Sequence, residues 1–369
     1  MPIDGAYTNL EDLLEEAVAE GIGSGAVLRI DDLERGRLLR EWAAGTVSRE
    51  PLGPPVDPST SFDLASLTKL YTATAALRLA SRGYLDPDRA LVQIDRSLRR
   101  SPLGRATVAQ LLGHTSGAAA WRPFFEDQEG SVAIRRAAAR LPLKGRSGRE
   151  VYSDVGFLVL QTVLEAATKT PLEDLVAEEV MEPVGAAAEL PTPSYRGVGA
   201  GEEAAKELIA RGGLAATELC PRRGLLCGEV HDGNAWAMGG VAPHAGLFGS
   251  AATVAALARA WWTAPRSGFL TRAIREAAWT PPKGEGTHVL GWDTVSPGAS
   301  SAGALLSRNS VGHLGFTGTS LWIDPERGVS VVLLTNRVHP SRDDDRIRAL
   351  RPRVHDAAAA FVDADRSVR

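Results

Sequence analysis

The spacing of hydrophobic residues indicates a chain that begins and ends with strands. Apolar positions at helical spacing predict a first helix from Leu10 to Glu20. Two apolar runs, Ala26 to Ile30 and Leu38 to Ala44, flank a charged turn and predict an antiparallel hairpin. After a proline-rich loop, Ala and Leu recur at helical spacing until Gly83, which predicts a helix with Ser66 near its start.

The middle of the chain, from about residue 85 to residue 280, has a helical pattern without regular strand alternation. Helical apolar stripes occur in TVAQLL, SVAIRRAAARL, DVGFLVLQTVLEAATK, PLEDLVAEEVM and SAATVAALARAWW. Strand-like runs return as THVLGWDTV, FTGTSLWI and VSVVLLTN, and residues Asp343 to Val362 are helical again. We therefore predict an α+β fold. Residues 1–84 and 285–369 would form an α/β domain with an antiparallel sheet, and residues 85–284 a mostly helical inserted domain.

Composition excludes several classes of protein. The chain has 369 residues, 44% of them hydrophobic, which is enough for a large core. A net charge of −4 removes the basic field that non-specific nucleic-acid binding needs. No run of about eighteen apolar residues predicts a membrane span. The acidic N-terminus does not resemble a signal peptide, so we expect a cytoplasmic protein, or an exported one if a leader has been removed. Cys220 and Cys227 are too few for a disulfide framework, and whether they form one bridge stays open.

Ser66 and Lys69 are the first candidates for chemistry. They are one helical turn apart, so both side chains project from the same face at a helix start. A serine needs a base to become a good nucleophile, and lysine can be that base only if its pKa is lowered, for which a helix N-terminus supplies partial positive charge. Only five of the 41 basic residues are lysines, and only Lys69 has a serine three residues before it. Alone, the pair is still more consistent with a helix-start serine beside an exposed lysine.

Two later segments add candidates. Tyr152 precedes a predicted helix, and a tyrosine beside a lysine can transfer protons as a general acid and base. Asp154 could act at the same site or cap that helix, and the two roles are compatible. The segment Gly312 to Gly318 leads into a late strand, where glycines allow a substrate to approach and an edge N–H can stabilise an oxyanion. Taken alone, the segment from Gly312 to Gly318 is typical of a Gly-rich turn.

In this order, the elements resemble the β-lactamase-related serine hydrolases, the group of class C β-lactamases, DD-peptidases and related esterases. The resemblance runs from about residue 24 to residue 362 through DLASLTK, LLGHTSG, YSDVGF, VHDGNAWAMGGVAPHAGLFGS and GHLGFTGTSLWIDPERGVSVVLLTNR. It implies the fold of that family, an antiparallel sheet flanked by helices with an inserted all-helical domain. It also implies hydrolysis through an acyl-enzyme.

The resemblance implies a role for each matching position. Ser66 would be the acylated nucleophile, Lys69 its hydrogen-bonded activator, and Tyr152 the group that relays protons to the leaving group. The N–H groups of Ser66 and Phe316 would form the oxyanion hole.

Two positions depart from the usual residues of the family. Asp154 replaces an Asn that is common in β-lactamases. On the edge strand, His313, Leu314 and Gly315 replace Lys-Thr-Gly, so the pocket loses a cation at neutral pH and a hydroxyl. Both changes weaken the interpretation as a dedicated β-lactamase, which must bind a carboxylate, and both leave the acylation residues in place.

We therefore expect a serine hydrolase that cleaves an ester or amide bond of a small molecule, most simply as an esterase, with no metal ion, nucleotide or other cofactor. Two alternatives stay open: a β-lactamase or penicillin-binding DD-peptidase acting on a lactam or peptide, and a binding protein that kept the fold without turnover. No Gly-x-Ser-x-Gly or His-Glu-x-x-His is present to indicate an α/β-hydrolase or a zinc hydrolase. The other histidines, among them His114, His231 and His244, are expected to be structural or to line the rim. The oligomeric state is not predicted.

Overall fold

The computed structural model describes residues 10–188, 193–195, 201–283 and 285–367. In these residues the strands are β1 Gly25–Asp32, β2 Arg37–Gly45, β3 Phe62–Asp63, β4 Ser194–Tyr195, β5 Glu218–Cys220, β6 Gly224–Leu226, β7 Leu247–Gly249, β8 His288–Val289, β9 Trp292–Thr294, β10 Val311–Leu314, β11 Ser320–Asp324 and β12 Val329–Thr335.

The α-helices in the described part of the chain are α1 Leu10–Ala19, α2 Thr68–Ser81, α3 Leu91–Ile94, α4 Val108–Leu112, α5 Ser131–Ala138, α6 Asp154–Thr168, α7 Leu172–Val176, α8 Glu182–Ala188, α9 Gly201–Arg211, α10 Gly233–Ala237, α11 Ala251–Ser267, α12 Arg272–Ala278 and α13 Ile347–Ser367. A π-helical turn, Ala177–Met181, joins α7 to α8.

The main sheet has seven strands in the order β2-β1-β12-β11-β10-β9-β8, with antiparallel pairing between neighbours. It joins the two ends of the chain, because β1 pairs with β12 from Ala26 opposite Thr335 to Asp32 opposite Val329. Alternate residues of these strands point to opposite faces of the sheet. One face packs on α1 and α13, and the other packs on α11. The central strands β12 and β11 are therefore buried on both sides. In the described residues β9 pairs only with Val311 and Gly312 of β10, and the rest of that strand, the β10 edge, lies beside the turn that carries Ser66.

The structure confirms the predicted α+β class with an antiparallel sheet and flanking helices. The division into domains at residues 84 and 285 stays a prediction. The prediction that the inserted segment is all helical was wrong. β7 pairs with both β3 and β4, and β5 and β6 form a hairpin. These strands have two or three residues, too few to show a period of two.

Two local expectations also need correction. THVLGWDTV is not one strand but the hairpin of β8 and β9, turned at Leu290 and Gly291, which both have positive φ. The N-cap of α6 is Ser153, whose Oγ accepts the Gly156 N–H at 2.9 Å. Asp154 is instead the first residue of that helix, so its carboxylate is available for other contacts.

No helix in the described ranges has both the length and the apolar character needed to cross a bilayer.

Cys220 and Cys227 are buried thiols, so the local bridge left open by the sequence is not formed.

Candidate active site

Ser66 lies in a single helical turn, Ala65–Leu67, that leads directly into α2. Ala65 has a φ of 46°, a left-handed conformation that costs energy for a residue with a Cβ. Asp63 holds this turn, because its Oδ1 accepts the Ala65 N–H at 2.8 Å and its carbonyl accepts the Thr317 hydroxyl at 2.7 Å. The strained turn is thus fixed from the strand before it and from the segment after β10.

Lys69 is completely buried one turn after Ser66. Its Nζ donates to Ser66 Oγ at 2.9 Å and to the His244 carbonyl at 3.2 Å. The same nitrogen forms an ion pair with Asp154 Oδ1 at 2.7 Å. The structure therefore brings together Ser66 and Lys69, whose spacing placed them on one face of the helix, and it adds Asp154 through a direct contact with the lysine that the sequence did not predict.

The charge of Lys69 differs from the expectation. The sequence suggested a lysine with a lowered pKa, and burial does act in that direction. The Asp154 carboxylate, with Tyr152, outweighs burial, so the pKa of Lys69 lies above its usual value. Lys69 is therefore an ammonium that donates to Ser66 in the resting protein. The argument from the helix N-terminus predicted the wrong direction for the Lys69 pKa, because it did not include the Asp154 carboxylate, which comes from α6 and lies 2.7 Å from Nζ.

Tyr152 lies immediately before α6, with its ring centroid 5.0 Å from Lys69 Nζ. Burial raises the pKa of its hydroxyl, although hydrogen bonding to Lys69 and Ser66 opposes this shift. Tyr152 is therefore a protonated phenol beside both residues. This is the position that a proton relay between the nucleophile and a leaving group requires.

Three histidine rings surround Tyr152. The ring centroids of His114, His288 and His313 lie 4.5, 5.2 and 6.0 Å from that of Tyr152. His114 Nδ1 accepts the Ser153 N–H at 3.0 Å, whereas His313 Nδ1 lies 2.9 Å from the Leu314 carbonyl and must donate to it. Burial, with the nearby Lys69 charge, lowers the pKa of both His114 and His313 well below its usual value, so both rings are neutral.

His313, Gly315 and Phe316 lie along the β10 edge, where the sequence placed them. His313 is in β10 opposite Leu321 of β11, and burial lowers the pKa of its ring well below the usual value. Gly315 closes the turn after the strand by donating its N–H to the Thr319 carbonyl at 2.7 Å. Within the described residues, the N–H groups of Ser66 and Phe316 have no acceptor, which leaves both available to an oxyanion.

These residues open into a cavity of about 1140 Å³. Ser66, Tyr152, Asp154 and His313 contribute to its floor, and the β5–β6 hairpin contributes to its wall. The rim carries large apolar side chains, and Trp121 and Phe316 are about half exposed. Phe316 stacks on His231 with ring centroids 5.6 Å apart. The cavity is larger than a typical drug-sized pocket and has room for a substrate with several groups.

The rim also contains ion pairs that the sequence did not assign. Glu218 accepts two hydrogen bonds from Arg342 at 2.8 Å each and lies 2.9 Å from His231 Nε2. These partners outweigh burial and lower the pKa of Glu218 to about 2. Asp232 lies 2.9 Å from His244 Nε2, and the carbonyl of His244 accepts from Lys69. The block VHDGNAWAMGGVAPHAGLFGS was the sequence signal for part of this network.

A second unassigned group is the pair formed by Glu150 and His288. His288 Nδ1 lies 2.9 Å from Glu150 Oε1, and Glu150 Oε2 accepts the N–H groups of Thr287 and His288 at 2.8 and 2.7 Å. These hydrogen bonds outweigh burial and lower the pKa of Glu150, which stays ionised.

Among the described residues, no three His, Cys, Asp or Glu side chains are arranged to hold a metal ion.

Comparisons with known proteins identify the family of the chain. The profile of the family described as Beta-lactamase matches residues 10–354. The chain is 31% identical over 310 residues to a putative D-alanyl-D-alanine carboxypeptidase of Escherichia coli K12, covering 76% of this chain and 70% of the relative. It is 29% identical over 361 residues to an N-acetylmuramyl-L-alanine amidase of Bacillus subtilis strain 168, covering 89% and 80%.

Solved structures show the same fold. A crystal structure of SurE has a TM-score of 0.67 and 26% identity, covering 97% of this chain and 75% of SurE. EstCE1, described as a hydrolase with promiscuous acyltransferase activity, has a TM-score of 0.71 and 20% identity, covering 94% and 97%. These matches confirm the resemblance seen in the five sequence blocks. The chain belongs to the beta-lactamase family of serine hydrolases.

Proposed function

We propose that the protein hydrolyses an ester or amide bond through an acyl-enzyme on Ser66. The observation that carries this proposal is the contact of Lys69 Nζ with Ser66 Oγ at 2.9 Å, on the floor of a large open cavity. A protein that only binds ligands has no need to keep a completely buried lysine against a serine hydroxyl, because burying an ammonium is costly.

In the proposed acylation step, Ser66 Oγ attacks the carbonyl carbon of the substrate while neutral Lys69 takes the hydroxyl proton. The N–H groups of Ser66 and Phe316 stabilise the oxyanion. Collapse breaks the bond to the leaving group, which receives the proton from Lys69 through Tyr152. Because Asp154 holds the proton on Lys69, the pKa of Lys69 sets the fraction of protein ready for this step.

The first test is hydrolysis of a short-chain nitrophenyl ester by the wild type, Ser66→Ala and Ser59→Ala. Ser59 is an exposed serine whose hydroxyl donates to Asp57, and it serves as the matched control. We expect turnover in the wild type and in Ser59→Ala, with no turnover and no acylated chain by mass spectrometry in folded Ser66→Ala. Equal activity in Ser66→Ala, or no activity in the folded wild type with any acyl substrate, would overturn the proposal.

A second candidate for the substrate is an amide bond of the kind named for the relatives, in D-alanyl-D-alanine or N-acetylmuramyl-L-alanine. The size of the cavity favours it over a small ester, because about 1140 Å³ greatly exceeds what an acetyl ester fills. The test is a comparison of kcat/KM for a nitrophenyl ester, a D-alanyl-D-alanine peptide and an N-acetylmuramyl-L-alanine amide. A higher kcat/KM for either amide identifies the substrate class, and a preference for the ester supports an esterase.

A further inference from the structure

Deacylation presents a chemical problem that the proposed acylation residues do not solve. Water that attacks the acyl-enzyme must give up a proton to a base. Lys69 is neutral directly after it passes its proton to the leaving group, but the Asp154 carboxylate 2.7 Å from Nζ favours uptake of a proton from solvent, and the resulting ammonium is a poor base. Tyr152 is also a poor candidate, because burial raises the pKa of its phenol. The site therefore needs another group that can accept a proton near Ser66.

His288 has the geometry of such a base. Its Nδ1 faces two carboxylates, Glu150 at 2.9 Å and Asp293 at 4.0 Å, and a carboxylate accepts hydrogen bonds only. Nδ1 therefore carries a proton, and Nε2 is the nitrogen left for the cavity, which His288 lines. A carboxylate that fixes the tautomer and orientation of an imidazole in this way is the arrangement of a histidine general base.

Glu150 is itself held in place by the β8–β9 hairpin. Besides His288 Nδ1, it accepts the backbone N–H groups of Thr287 and His288. The backbone also comes close to the carboxylate at Gly286, where an added Cβ would lie 2.4 Å from Glu150 Oε2. These contacts fix the orientation of the pair, and the centroid of the His288 ring lies 5.2 Å from that of Tyr152, 5.0 Å from that of His114 and 6.1 Å from that of His313.

The other two histidines of the cluster do not meet the same requirements. His114 is not part of the cavity wall, and its Nδ1 is occupied by the Ser153 N–H. His313 is neutral, but its Nδ1 is bound to a backbone carbonyl, which carries no charge to stabilise an imidazolium. Of the three rings, His288 alone combines a place on the cavity wall with a carboxylate partner.

We propose that His288, held by Glu150, is the general base that activates water in deacylation; this inference rests on the proposed acyl-enzyme. The oxygen of water attacks the acyl carbon, and one proton of the water passes to His288 Nε2. Collapse breaks the bond between the acyl carbon and Ser66 Oγ, which takes from Lys69 the proton that the amine regained from solvent after acylation. The proton on His288 then returns to Lys69 through Tyr152. The second proton of the water leaves with the carboxylic acid.

The test is pre-steady-state hydrolysis of a nitrophenyl ester by the wild type, His288→Gln, Glu150→Gln and His114→Gln. In His288→Gln we expect a burst of one nitrophenol per chain followed by turnover about 10²- to 10³-fold slower than in the wild type, with acylated protein accumulating. Glu150→Gln should show the same pattern to a smaller degree. His114→Gln is the matched control, because it removes a ring that packs on Tyr152 without a place on the cavity wall, and its ratio of burst to turnover should match the wild type.

Hydroxylamine provides a second readout, because this strong nucleophile needs no general base. It should restore turnover of His288→Gln to near the wild-type rate while leaving Ser66→Ala inactive. Equal loss of burst and turnover in His288→Gln, the same defect in His114→Gln, or no rescue by hydroxylamine would overturn the role of His288 while leaving the proposed function intact. Absence of the Ser66-dependent burst in the wild type would instead overturn the proposed function, and this inference with it.

Discussion

Asp154 is the residue that most changes the chemistry expected from the family resemblance. Where related β-lactamases commonly carry an amide, this chain places a carboxylate 2.7 Å from Lys69 Nζ. An opposite charge at that distance favours the protonated lysine, and it is the reason that the pKa of Lys69 is raised despite complete burial. The cost of the contact is that fewer molecules hold the neutral lysine at neutral pH.

Asp154→Asn should therefore shift the acid limb of the kcat/KM profile to lower pH. Without the carboxylate, burial is the dominant influence and lowers the pKa of Lys69, so the neutral amine appears at lower pH. We expect a displacement of about one to three pH units, measured with a nitrophenyl ester. Glu203→Gln removes a carboxylate from the exposed pair with Lys206 and should leave the profile unchanged. An unshifted or alkaline-shifted profile in Asp154→Asn would contradict this role of Asp154.

The spacing of Ser66 and Lys69, with the order of the later blocks and the family resemblance, was enough to nominate Ser66, Lys69 and Tyr152 as candidates. The sequence could not predict the partner of Lys69, because Asp154 is 85 positions away and an aspartate before a helix is equally suited to capping. Ser153 takes the capping role, which leaves Asp154 for the lysine. The pair of Glu150 and His288 was missed for the same reason: only the tertiary fold brings the two side chains together.

The β10 edge and the turn of Ser66 depend on each other through very close backbone packing. A Cβ at position 315 would lie 2.0 Å from Thr319 Oγ1 and 2.7 Å from the carbonyl oxygen of Leu64, next to the turn. The Thr319 hydroxyl also donates to that carbonyl at 3.1 Å. Gly315 is therefore required by contact between two elements, a reason that the motif alone did not reveal.

Gly315→Ala should consequently move the strand edge away from Ser66. We expect a loss of about 1–3 kcal/mol in the free energy of unfolding, from overpacking, and a fall of about tenfold or more in kcat/KM as the Phe316 N–H shifts from Ser66. Gly156→Ala is the matched control, because a Cβ there makes ordinary contacts of 3.4 Å or more with the Ser153 and Leu111 side chains. Urea unfolding and ester hydrolysis check both effects. Wild-type stability and activity in Gly315→Ala would refute the packing argument.

At the level of secondary structure, sequence patterns were reliable for long elements and weak for short ones. The hairpin of β1 and β2, the long helix α6 and the buried strand β12 all have enough residues to show their period. Strands of two or three residues, such as β7, are set by tertiary pairing with other segments rather than by alternation. The β5–β6 hairpin belongs to this class, although it forms part of the cavity wall.

The two ends of the chain pack together in the fold, and buried histidines contribute to the contacts between segments that are distant in sequence. His339 accepts the Arg49 N–H at 3.1 Å, and His355 of α13 contacts Ser320 of β11 at 3.1 Å. Burial lowers the pKa of each of these histidines to about 4, and it lowers those of His114 and His313 well below the usual value. Four of the seven histidines are thus neutral in the folded chain at pH values where an unfolded chain protonates them.

The folded protein should therefore lose stability steeply as the pH falls from about 6.5 towards 4. In this range the unfolded state binds more protons than the folded state, so the free energy of unfolding decreases with acid. For His339 and His355, a pKa about 2.5 units below the unfolded value corresponds to about 3 kcal/mol each at pH 4. Urea unfolding at several pH values, combined with calorimetric proton uptake, should show up to four protons bound on unfolding near about pH 5. His355→Asn should reduce that uptake by one proton. A free energy of unfolding that stays constant between about pH 7 and pH 5 would show that these rings are not neutral in the fold, because a depressed histidine pKa requires the slope.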